Sequence, residues 1–285
     1  MKKILVTGAT GFIGNYVIPE LLAKGCAVTA TSSNRENATK ASWFSNVDYI
    51  PFDLKNFDNA VNYHSFFGEP DALIHLAWEG LPNYKESFHL EENLPRHLAF
   101  LTNLIQRGLH DITVTGTCLE YGMKEGCLVE DMQCEPANPY AIAKNELRSQ
   151  LELLILEKPF YFKWVRLFYM YGQGQSPKSL ISQLDKALED NEPEFKMSGG
   201  EQVRDFLLVE KVAEYIVAIA LQQKITGVIN CCSGEPVTVK AFVENYLKEH
   251  NKHISLDLGY YPYTDYEAMK FWGDNIKLKQ IIGDD

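Results

Sequence analysis

Tyr140 and Lys144 stand four residues apart in the segment NPYAIAKNELRSQLELLI, which has the pattern of a helix. Asn138 and Pro139 suit the N-cap and the first position of that helix, so the two side chains lie one turn apart on one face. A lysine ammonium beside a phenol favours the phenolate and lowers the phenol's pKa. Such a phenol can act as a general acid or base on an alcohol or ketone oxygen. Alone, this spacing more often marks an exposed helix face.

The apolar run at 112–114 is typical of a buried strand. The segment that follows it, TGTCLEYG (115–122), begins with two threonine hydroxyls. In an open parallel sheet, ligands bind beyond the carboxyl ends of the strands. Thr117 is therefore expected in the same crevice as Tyr140, where its hydroxyl can donate to the oxygen that Tyr140 protonates. The alternative is a local bond between the hydroxyl and the backbone of the turn.

The chain opens with a glycine-rich segment, VTGATGFIG, directly after its first apolar run. Glycines at this spacing allow a tight turn, close approach of a pyrophosphate and close packing of helix on strand. The helix N-terminus adds amide donors and partial positive charge. This placement predicts a dinucleotide site formed by Gly8, Thr10, Gly11, Phe12, Ile13 and Gly14.

Hydroxyls and one arginine follow the second predicted strand, where a carboxylate would bind the ribose of NAD. The residues there are Ser32, Ser33, Asn34 and Arg35. Because an arginine suits a 2′-phosphate, we predict NADP(H) in preference to NAD(H), the alternative being that Arg35 is an exposed loop charge. Asp53, followed by Leu54, is placed to meet the adenine edge or to cap the next helix.

Short apolar runs alternate with helical patterns along most of the chain. The predicted strands are 3–7, 26–31, 47–51, 71–76, 110–115, 161–168 and 228–232. The predicted helices are 12–24, 55–63, 91–107, 138–157, 177–190, 209–222 and 238–250. This alternation predicts an α/β fold, a Rossmann-like doubly wound parallel sheet with right-handed crossovers.

The regular alternation fades after about residue 168. We therefore predict a dinucleotide-binding domain formed by 1–168 and 206–232. A smaller C-terminal lobe for the substrate would comprise 169–205 and 233–285.

Composition excludes several classes of function. The net charge of −11 argues against binding of nucleic acid. No apolar run approaches the ~18 residues of a membrane span. The six cysteines and seven histidines show no metal-ligand spacing, so no metal is predicted. Adjacent Cys231 and Cys232, and a start without a signal peptide, favour the cytoplasm.

Together these motifs resemble the extended short-chain dehydrogenase/reductases, a family of nucleotide-sugar epimerases, dehydratases and reductases. TGATGFIG resembles the family's TGxxGxxG, YAIAK its YxxxK, and HLAW (75–78) its HxAA, with Trp78 in place of the second alanine. VRLFYMYG (165–172) resembles R-x-x-N-x-Y-G, with Tyr169 in place of asparagine. The resemblance implies further cofactor contacts from Leu76, Ala77, Trp78, Asn93, Thr115, Tyr140 and Lys144.

The segment GGEQVRDFLLVEKVAEY resembles the one whose arginine, here Arg204, contacts the diphosphate of a sugar nucleotide. A guanidinium fork suits a phosphate, although Arg204 could instead pair with Asp205 or Glu201. The remaining candidates for the substrate pocket are Thr117, Cys118, Leu119, Tyr169 and Lys178. His89 could also reach the sugar.

Two departures from the family narrow the implied reaction. The 4,6-dehydratases follow the catalytic threonine with Asp-Glu, where this chain has Cys118 and Leu119. GDP-fucose synthases use a cysteine two residues after the hydroxyl, where Leu119 stands here, and a histidine that the loop 173–182 lacks. Both dehydration and double epimerisation are thereby disfavoured.

The resemblance then implies NADPH-dependent reduction of the C4 ketone of a nucleoside-diphosphate 4-keto-6-deoxyhexose, which supplies a 6-deoxysugar nucleotide for surface polysaccharide. Lys144 would hold the ribose and tune Tyr140, and a homodimer through a four-helix bundle is implied. Three alternatives remain open: a C4-epimerase with bound NAD, a reductase of small carbonyls, and a non-catalytic dinucleotide sensor.

Overall fold

The computed structural model describes residues 1–283, which form two lobes. The strands are β1 (Lys3–Thr7), β2 (Ala27–Thr31), β3 (Asp48–Tyr49), β4 (Ala72–His75), β5 (Asp111–Thr117), β6 (Gly126–Leu128), β7 (Tyr161–Leu167), β8 (Tyr169–Tyr171), β9 (Glu194–Met197), β10 (Val203–Leu208), β11 (Gly227–Cys231), β12 (Pro236–Thr238), β13 (Ser255–Leu258) and β14 (Phe271–Gly273). The α-helices are α1 (Gly14–Ala23), α2 (Arg35–Thr39), α3 (Tyr63–Phe66), α4 (Leu94–Gln106), α5 (Pro139–Glu157), α6 (Leu180–Glu189), α7 (Val209–Leu221), α8 (Val239–Glu249) and α9 (Ile276–Ile282). A π-helical turn, His89–Asn93, leads into α4.

A seven-stranded parallel sheet forms the centre of the larger lobe, in the order β11-β7-β5-β4-β1-β2-β3. The chain builds outward from β1 to β3, then crosses back to place β4 on the other side of β1. This reversal opens a crevice at the carboxyl ends of the strands, where open α/β sheets bind ligands. The predicted doubly wound Rossmann-like sheet is confirmed, and each of the seven predicted strands contributes to it.

Both faces of this sheet are covered by helices, because its strands carry apolar side chains on both sides. In β1, Ile4 and Val6 point to the core formed with α1 and α7, whereas Leu5 points to the core formed with α4 and α5. This is the two-residue alternation of a strand.

The smaller lobe contains the sheet β12-β10-β8 and the pair β13-β9, packed on α6 and α8. A further pair, β14-β6, joins the C-terminal segment to the chain just beyond β5. The predicted division of the chain into a dinucleotide-binding domain and a substrate lobe stays a prediction. Helix α9 packs on α7 and β11 of the larger lobe, because Leu278 is buried in that core.

The predicted helix at 55–63 is wrong. A 3₁₀ turn spans Leu54–Asn56, and α3 begins only at Tyr63. Polar side chains impose short turns here: Asp53 accepts a hydrogen bond from the Lys55 N–H, and Asn62 accepts one from the Ser65 N–H. Among the described helices, none is long and apolar enough to cross a bilayer.

Candidate active site

The loop between β1 and α1 requires glycine at two of its positions. Gly8 has a φ of +70°, and a Cβ there would lie 2.7 Å from the backbone nitrogen of Ala77. A Cβ on Gly14 would lie 2.5 Å from the carbonyl oxygen of Gly8. Helix α1 begins without a side-chain cap from any described residue, so its first amides point into the loop. A backbone cradle of this kind fits the pyrophosphate of a dinucleotide.

A cleft of about 220 Å³ extends from this loop along the carboxyl ends of β1, β2 and β4. The predicted cofactor residues that line it are Gly8, Thr10, Gly11, Ser32, Ser33, Asp53, Leu54, Leu76, Ala77 and Trp78. Phe12, Ile13 and Gly14 continue the loop into α1. The residues brought together therefore fit a dinucleotide.

The groups proposed to select NADP(H) are only partly directed into the cleft. The Ser32 hydroxyl is bonded to the Tyr49 hydroxyl at 2.9 Å. The Asn34 side chain caps α2 by accepting the Asn37 N–H. Ser33 is exposed and lines the cleft, whereas Arg35 is exposed and is not among the described residues that line it. Asp53 caps the turn that follows it, which was the alternative role proposed for it, and it also lines the cleft.

Tyr140, Lys144 and Thr117 converge beyond the carboxyl end of β5. Asn138 accepts the Ala141 N–H and so fixes the first turn of α5, as the sequence predicted. Tyr140 is 7% exposed, Thr117 7% and Lys144 2%. The Thr117 hydroxyl oxygen accepts the Leu119 N–H at 3.3 Å, and the Thr117 side chain also hydrogen-bonds to Tyr140. The local bond to the turn, proposed as the alternative role of Thr117, is therefore found, and donation to a substrate oxygen stays a prediction.

The electrostatics of this group differ from the expected lowering of the phenol's pKa. Burial raises the pKa of Tyr140, and the hydrogen bond with Thr117 offsets this only in part. Burial also lowers the pKa of Lys144 to about 7, against the attraction of Glu120. The Lys144 ammonium donates to the Thr115 carbonyl oxygen at 2.9 Å.

Glu120, which was not singled out from the sequence, lies fully buried beneath Thr117. Its carboxylate accepts hydrogen bonds from the Thr117 N–H at 2.8 Å, from Arg166 Nε at 2.8 Å and from Trp164 Nε1 at 3.0 Å. The spacing Thr117-x-x-Glu120 is that of a capping box, which could have revealed this role. Glu120 thus fixes the turn that aims Thr117.

His89 and Asn93 position the loop after β4. His89 Nδ1 accepts the Trp78 Nε1–H at 3.1 Å, and Nε2 bonds to the Asn83 carbonyl oxygen at 3.0 Å. Asn93 donates to the Glu79 carbonyl oxygen. Because both ring nitrogens of His89 are bonded within the protein, the proposed contact with a sugar is not made by this rotamer.

Arg204 is buried and bonded within the protein. It donates to Glu267 at 3.0 Å and to the carbonyl oxygens of Val203 and Met269. The alternative of an internal ion pair is therefore found, with a different acid from those considered. Asp205 instead accepts the Ser233 and Gly234 N–H groups. Contact between Arg204 and a substrate diphosphate stays a prediction.

Of the other candidates for the substrate pocket, Cys118 and Tyr169 pack in one cluster beside Arg204. The Tyr169 ring lies 5.5 Å from the Arg204 guanidinium carbon, and Lys178 is exposed in the loop before α6. Cys118 is buried with Phe168 and Phe271, and burial raises the pKa of its thiol. Leu119 is half-buried beside it. Within residues 1–283, no cluster of three or more His, Cys, Asp or Glu side chains could hold a metal ion.

The chain is similar to several known proteins. It is 31% identical over 278 residues to dTDP-6-deoxy-L-talose 4-dehydrogenase (NAD(+)) of Aggregatibacter actinomycetemcomitans, covering 95% of this chain and 99% of that protein. It is 24% identical to UDP-glucose 4-epimerase 3 of Oryza sativa subsp. japonica, covering 99% of this chain and 84% of that one.

Solved structures share the fold. The UDP-glucuronic acid 4-epimerase from Bacillus cereus, in complex with UDP-glucuronic acid and NAD, superposes with a TM-score of 0.84 at 23% identity, covering 98% of this chain and 92% of that chain. The UDP-glucose-4-epimerase from Stenotrophomonas maltophila, with bound NAD and formylated UDP-arabinopyranose, gives 0.86 at 17% identity, with 99% and 93% covered.

The model of the NAD dependent epimerase/dehydratase family matches residues 4–232, which include the glycine loop, Thr117, Tyr140 and Lys144. This match and the relative at 31% identity confirm the resemblance inferred from the motifs. The protein is therefore an enzyme that belongs to the NAD dependent epimerase/dehydratase family, the extended short-chain dehydrogenase/reductases.

Proposed function

We propose that the protein reduces the C4 ketone of a nucleoside-diphosphate 4-keto-6-deoxyhexose with a nicotinamide dinucleotide. The observation that carries this proposal is the convergence of Thr117, Tyr140 and Lys144 on one crevice beside a cleft that fits the cofactor. A bound nicotinamide would supply the hydride to C4. The product would be a 6-deoxysugar nucleotide for surface polysaccharide.

The burial of Tyr140 keeps the phenol in the protonated state that a proton donor needs for the reduction. Because burial raises the pKa of this phenol, it is protonated at neutral pH and can act as an acid. In the proposed complex the Tyr140 and Thr117 hydroxyls hydrogen-bond to the C4 oxygen, and Tyr140 transfers its proton as negative charge develops there. Lys144 then stabilises the phenolate, since its ammonium lies on the same face of α5.

The relative at 31% identity supports the position of the reaction on the sugar. Its name describes dehydrogenation at C4 of dTDP-6-deoxy-L-talose. Read in reverse, dehydrogenation at C4 is reduction of a C4 ketone in a 6-deoxyhexose. The substitution of Cys118 and Leu119 for an Asp-Glu pair also leaves the turn after Thr117 without the residues for elimination.

The choice between NADP(H) and NAD(H) rests on observations that point in opposite directions. The exposed Ser33 in the cleft, and the exposed Arg35 two residues later, support NADP(H). The named cofactor of the relative and the NAD bound in neighbouring structures support NAD(H). The ratio of kcat/KM for NADPH to kcat/KM for NADH decides between them.

Arg204 is the proposed anchor for the substrate diphosphate, and this proposal includes a change of partner. A diphosphate would have to replace Glu267 in the ion pair with the guanidinium. Glu267 lies in the C-terminal segment near the exposed Lys85–Asp265 pair, so this exchange would take place at the edge of the site. If the substrate is a small carbonyl compound instead, Arg204→Ala leaves its KM unchanged.

We propose that the protein is a homodimer in the cytoplasm. All six cysteines are free thiols, as in a reducing compartment. Leu153 and Leu156 of α5 are 57% and 82% exposed, and they supply an apolar surface for a partner subunit.

Absorbance at the nicotinamide band tests the function directly. NADPH or NADH is mixed with enzyme and a panel of nucleoside-diphosphate 4-keto-6-deoxyhexoses. Stoichiometric loss of absorbance with one panel member is expected and names the substrate. Loss with none of them overturns net reduction of this substrate class.

A second candidate, C4 epimerisation with bound NAD, is favoured by the NAD-containing epimerase structures that share the fold. It predicts that the purified protein carries tightly held NAD and interconverts two sugar nucleotides without net cofactor consumption. Mass analysis of the denatured protein's supernatant distinguishes the two candidates.

A further inference from the structure

Trp78 lies between the cofactor cleft and the buried group formed by Thr117, Tyr140 and Lys144. It occupies a position where the HxAA pattern has a small alanine, so its indole adds a large flat surface to this region. The Lys144 ammonium nitrogen lies 4.1 Å from the centroid of the indole. The Tyr140 ring stands roughly edge-on to it, at 6.0 Å and 70°.

The indole is held by two contacts that do not involve Lys144. Its Nε1–H donates to His89 Nδ1 at 3.1 Å, and its face stacks on the His97 ring at 4.6 Å and 22°. His97 is held in turn by His75, whose Nε2 bonds to His97 Nδ1 at 2.7 Å. Thr7 Oγ1 bonds to the other nitrogen of His75 at 2.8 Å. The indole is therefore a fixed surface.

Lys144 itself has few polar partners. Within residues 1–283, its ammonium makes one hydrogen bond, to the Thr115 carbonyl oxygen. A buried ammonium with one oxygen partner is poorly solvated, and an aromatic face within about 6 Å attracts it through the ring quadrupole. The second ring nearby, Trp164, is more distant, at 6.0 Å.

We infer that Trp78 is a positioning residue for Lys144, whose ammonium its indole face holds at the end of β5 beside Tyr140 and Thr117. Three neutral imidazoles from β4, the π-helical turn and α4 surround the same pocket. Lys144 contributes to the lowered pKa values of all three: His75, His89 and His97. Glu120 is the anionic group that acts on Lys144 from below. A positive charge on any of these imidazoles would be repelled by the Lys144 ammonium. The Trp78 ring, in contrast, attracts the ammonium.

Fluorinated tryptophans test this inference because they weaken the ring quadrupole while they preserve the shape of the side chain. The protein is produced with tryptophan or with its mono-, di- and trifluorinated forms. The pKa of Lys144 is read from the ¹³Cε shift of labelled lysine in the protein without cofactor, with Lys144→Met to assign the resonance. We expect the pKa to fall stepwise by about one unit across the series, a tenfold change in the protonation equilibrium.

Two variants provide the comparison. In Trp78→Phe we expect the pKa to depend on fluorination much less than in the unsubstituted protein, because Trp164, at 6.0 Å, is then the nearest labelled ring to Lys144. In Trp272→Phe, a change in β14 outside the site, the full dependence persists. The inference would be overturned if the pKa of Lys144 depended equally on fluorination in Trp78→Phe and in the unsubstituted protein. It would also be overturned if the pKa depended on fluorination in neither protein. If circular dichroism shows Trp78→Phe unfolded, fluorotryptophan is placed at position 78 alone by suppression of a stop codon.

The consequence for turnover rests on the proposed reductase function. At a pH above the pKa of Lys144, kcat should fall along the fluorinated series while the KM of the sugar nucleotide stays constant. The NMR titration needs no substrate, so its result does not depend on whether the proposed reaction is correct. A flat titration rejects the role of Trp78, whereas lack of turnover with every sugar rejects the proposed reaction.

Discussion

At Tyr140 a buried phenol meets the Thr117 hydroxyl beside the cofactor cleft, so loss of the phenol oxygen removes the proposed proton donor. We expect Tyr140→Phe to lower kcat by about 10²–10⁴-fold while the Kd for NAD(P)H stays within about twofold. Initial rates and a fluorescence titration of the cofactor measure the two effects. Tyr161→Phe, at an exposed position, is the matched control. Unchanged turnover in Tyr140→Phe would revive the sensor hypothesis.

Gly8 and Gly25 offer a matched pair, because their φ values are +70° and +74°. A Cβ on Gly8 meets the Ala77 backbone at 2.7 Å, whereas a Cβ on Gly25 has no described atom within 4 Å. Gly25→Ala should cost only the strain of the left-handed backbone, about 1–2 kcal/mol. Gly8→Ala should in addition raise the Kd for the cofactor at least tenfold, measured by fluorescence titration. Equal effects of the two changes on Kd would show that the close approach at Gly8 is not required.

The lowered pKa of Lys144 makes stability depend on pH. In the unfolded chain this lysine titrates near 10.4, and in the folded protein at about 7. Between these values the unfolded state binds more protons, so the free energy of unfolding rises with pH, by at most about 1.4 kcal/mol per pH unit. Urea unfolding between pH 7 and 9 measures this slope. Lys144→Met should lack this contribution to the slope. Identical slopes in the two proteins would contradict the lowered pKa of Lys144.

Much of the site follows from residue types and spacing alone. The glycine loop, Thr117, Tyr140 and Lys144 could be predicted, because each belongs to a short motif beside a strand or helix. The partner of Arg204 could not, since Glu267 is 63 residues away in sequence and meets it only through packing of the small lobe. The raised pKa of Tyr140 likewise depends on burial, which spacing does not reveal.

At the scale of elements, the buried ion pair between Glu120 and Arg166 attaches the turn that follows β5 to strand β7. Glu120→Gln keeps the shape but leaves the Arg166 guanidinium uncompensated, so we expect the free energy of unfolding to fall by about 3–5 kcal/mol. Chemical denaturation measures the change. Glu152→Gln breaks a more exposed pair with Arg148 on α5 and should change stability by less than about 1 kcal/mol. Similar losses in the two variants would mean that burial does not set the cost.

The central sheet could be predicted because six of its seven strands have four to seven residues in recognisable apolar runs, whereas β3 has only two. The short strands of the small lobe could not. Strands β8, β12 and β14 have three residues each, and their pairing with β10 and β6 joins distant segments. Helix α9 was missed because its burial depends on a groove formed by α7 and β11.

At the scale of the whole molecule, α5 presents exposed leucines on the surface opposite the site. If the proposed homodimer forms there, Leu156→Lys should shift the protein to a monomer in light scattering coupled to size exclusion. Leu258→Lys, at an exposed leucine of β13 in the small lobe, should leave the mass unchanged. A protein that is already monomeric would reject the proposed dimer without bearing on the reaction.

The pairing of β14 with β6 has a consequence for synthesis. The Gly126 N–H donates to the Lys270 carbonyl oxygen, and Phe271 packs with Cys118 and Tyr121 directly after Thr117. A ribosome releases the glycine loop and Tyr140 long before residue 271 leaves its exit tunnel. Until then, the apolar side chains next to Thr117 are uncovered and accessible to chaperones. The turn after Thr117 is thus completed only by a strand that is translated well after Tyr140, which couples the final packing of this turn to synthesis of the chain through β14.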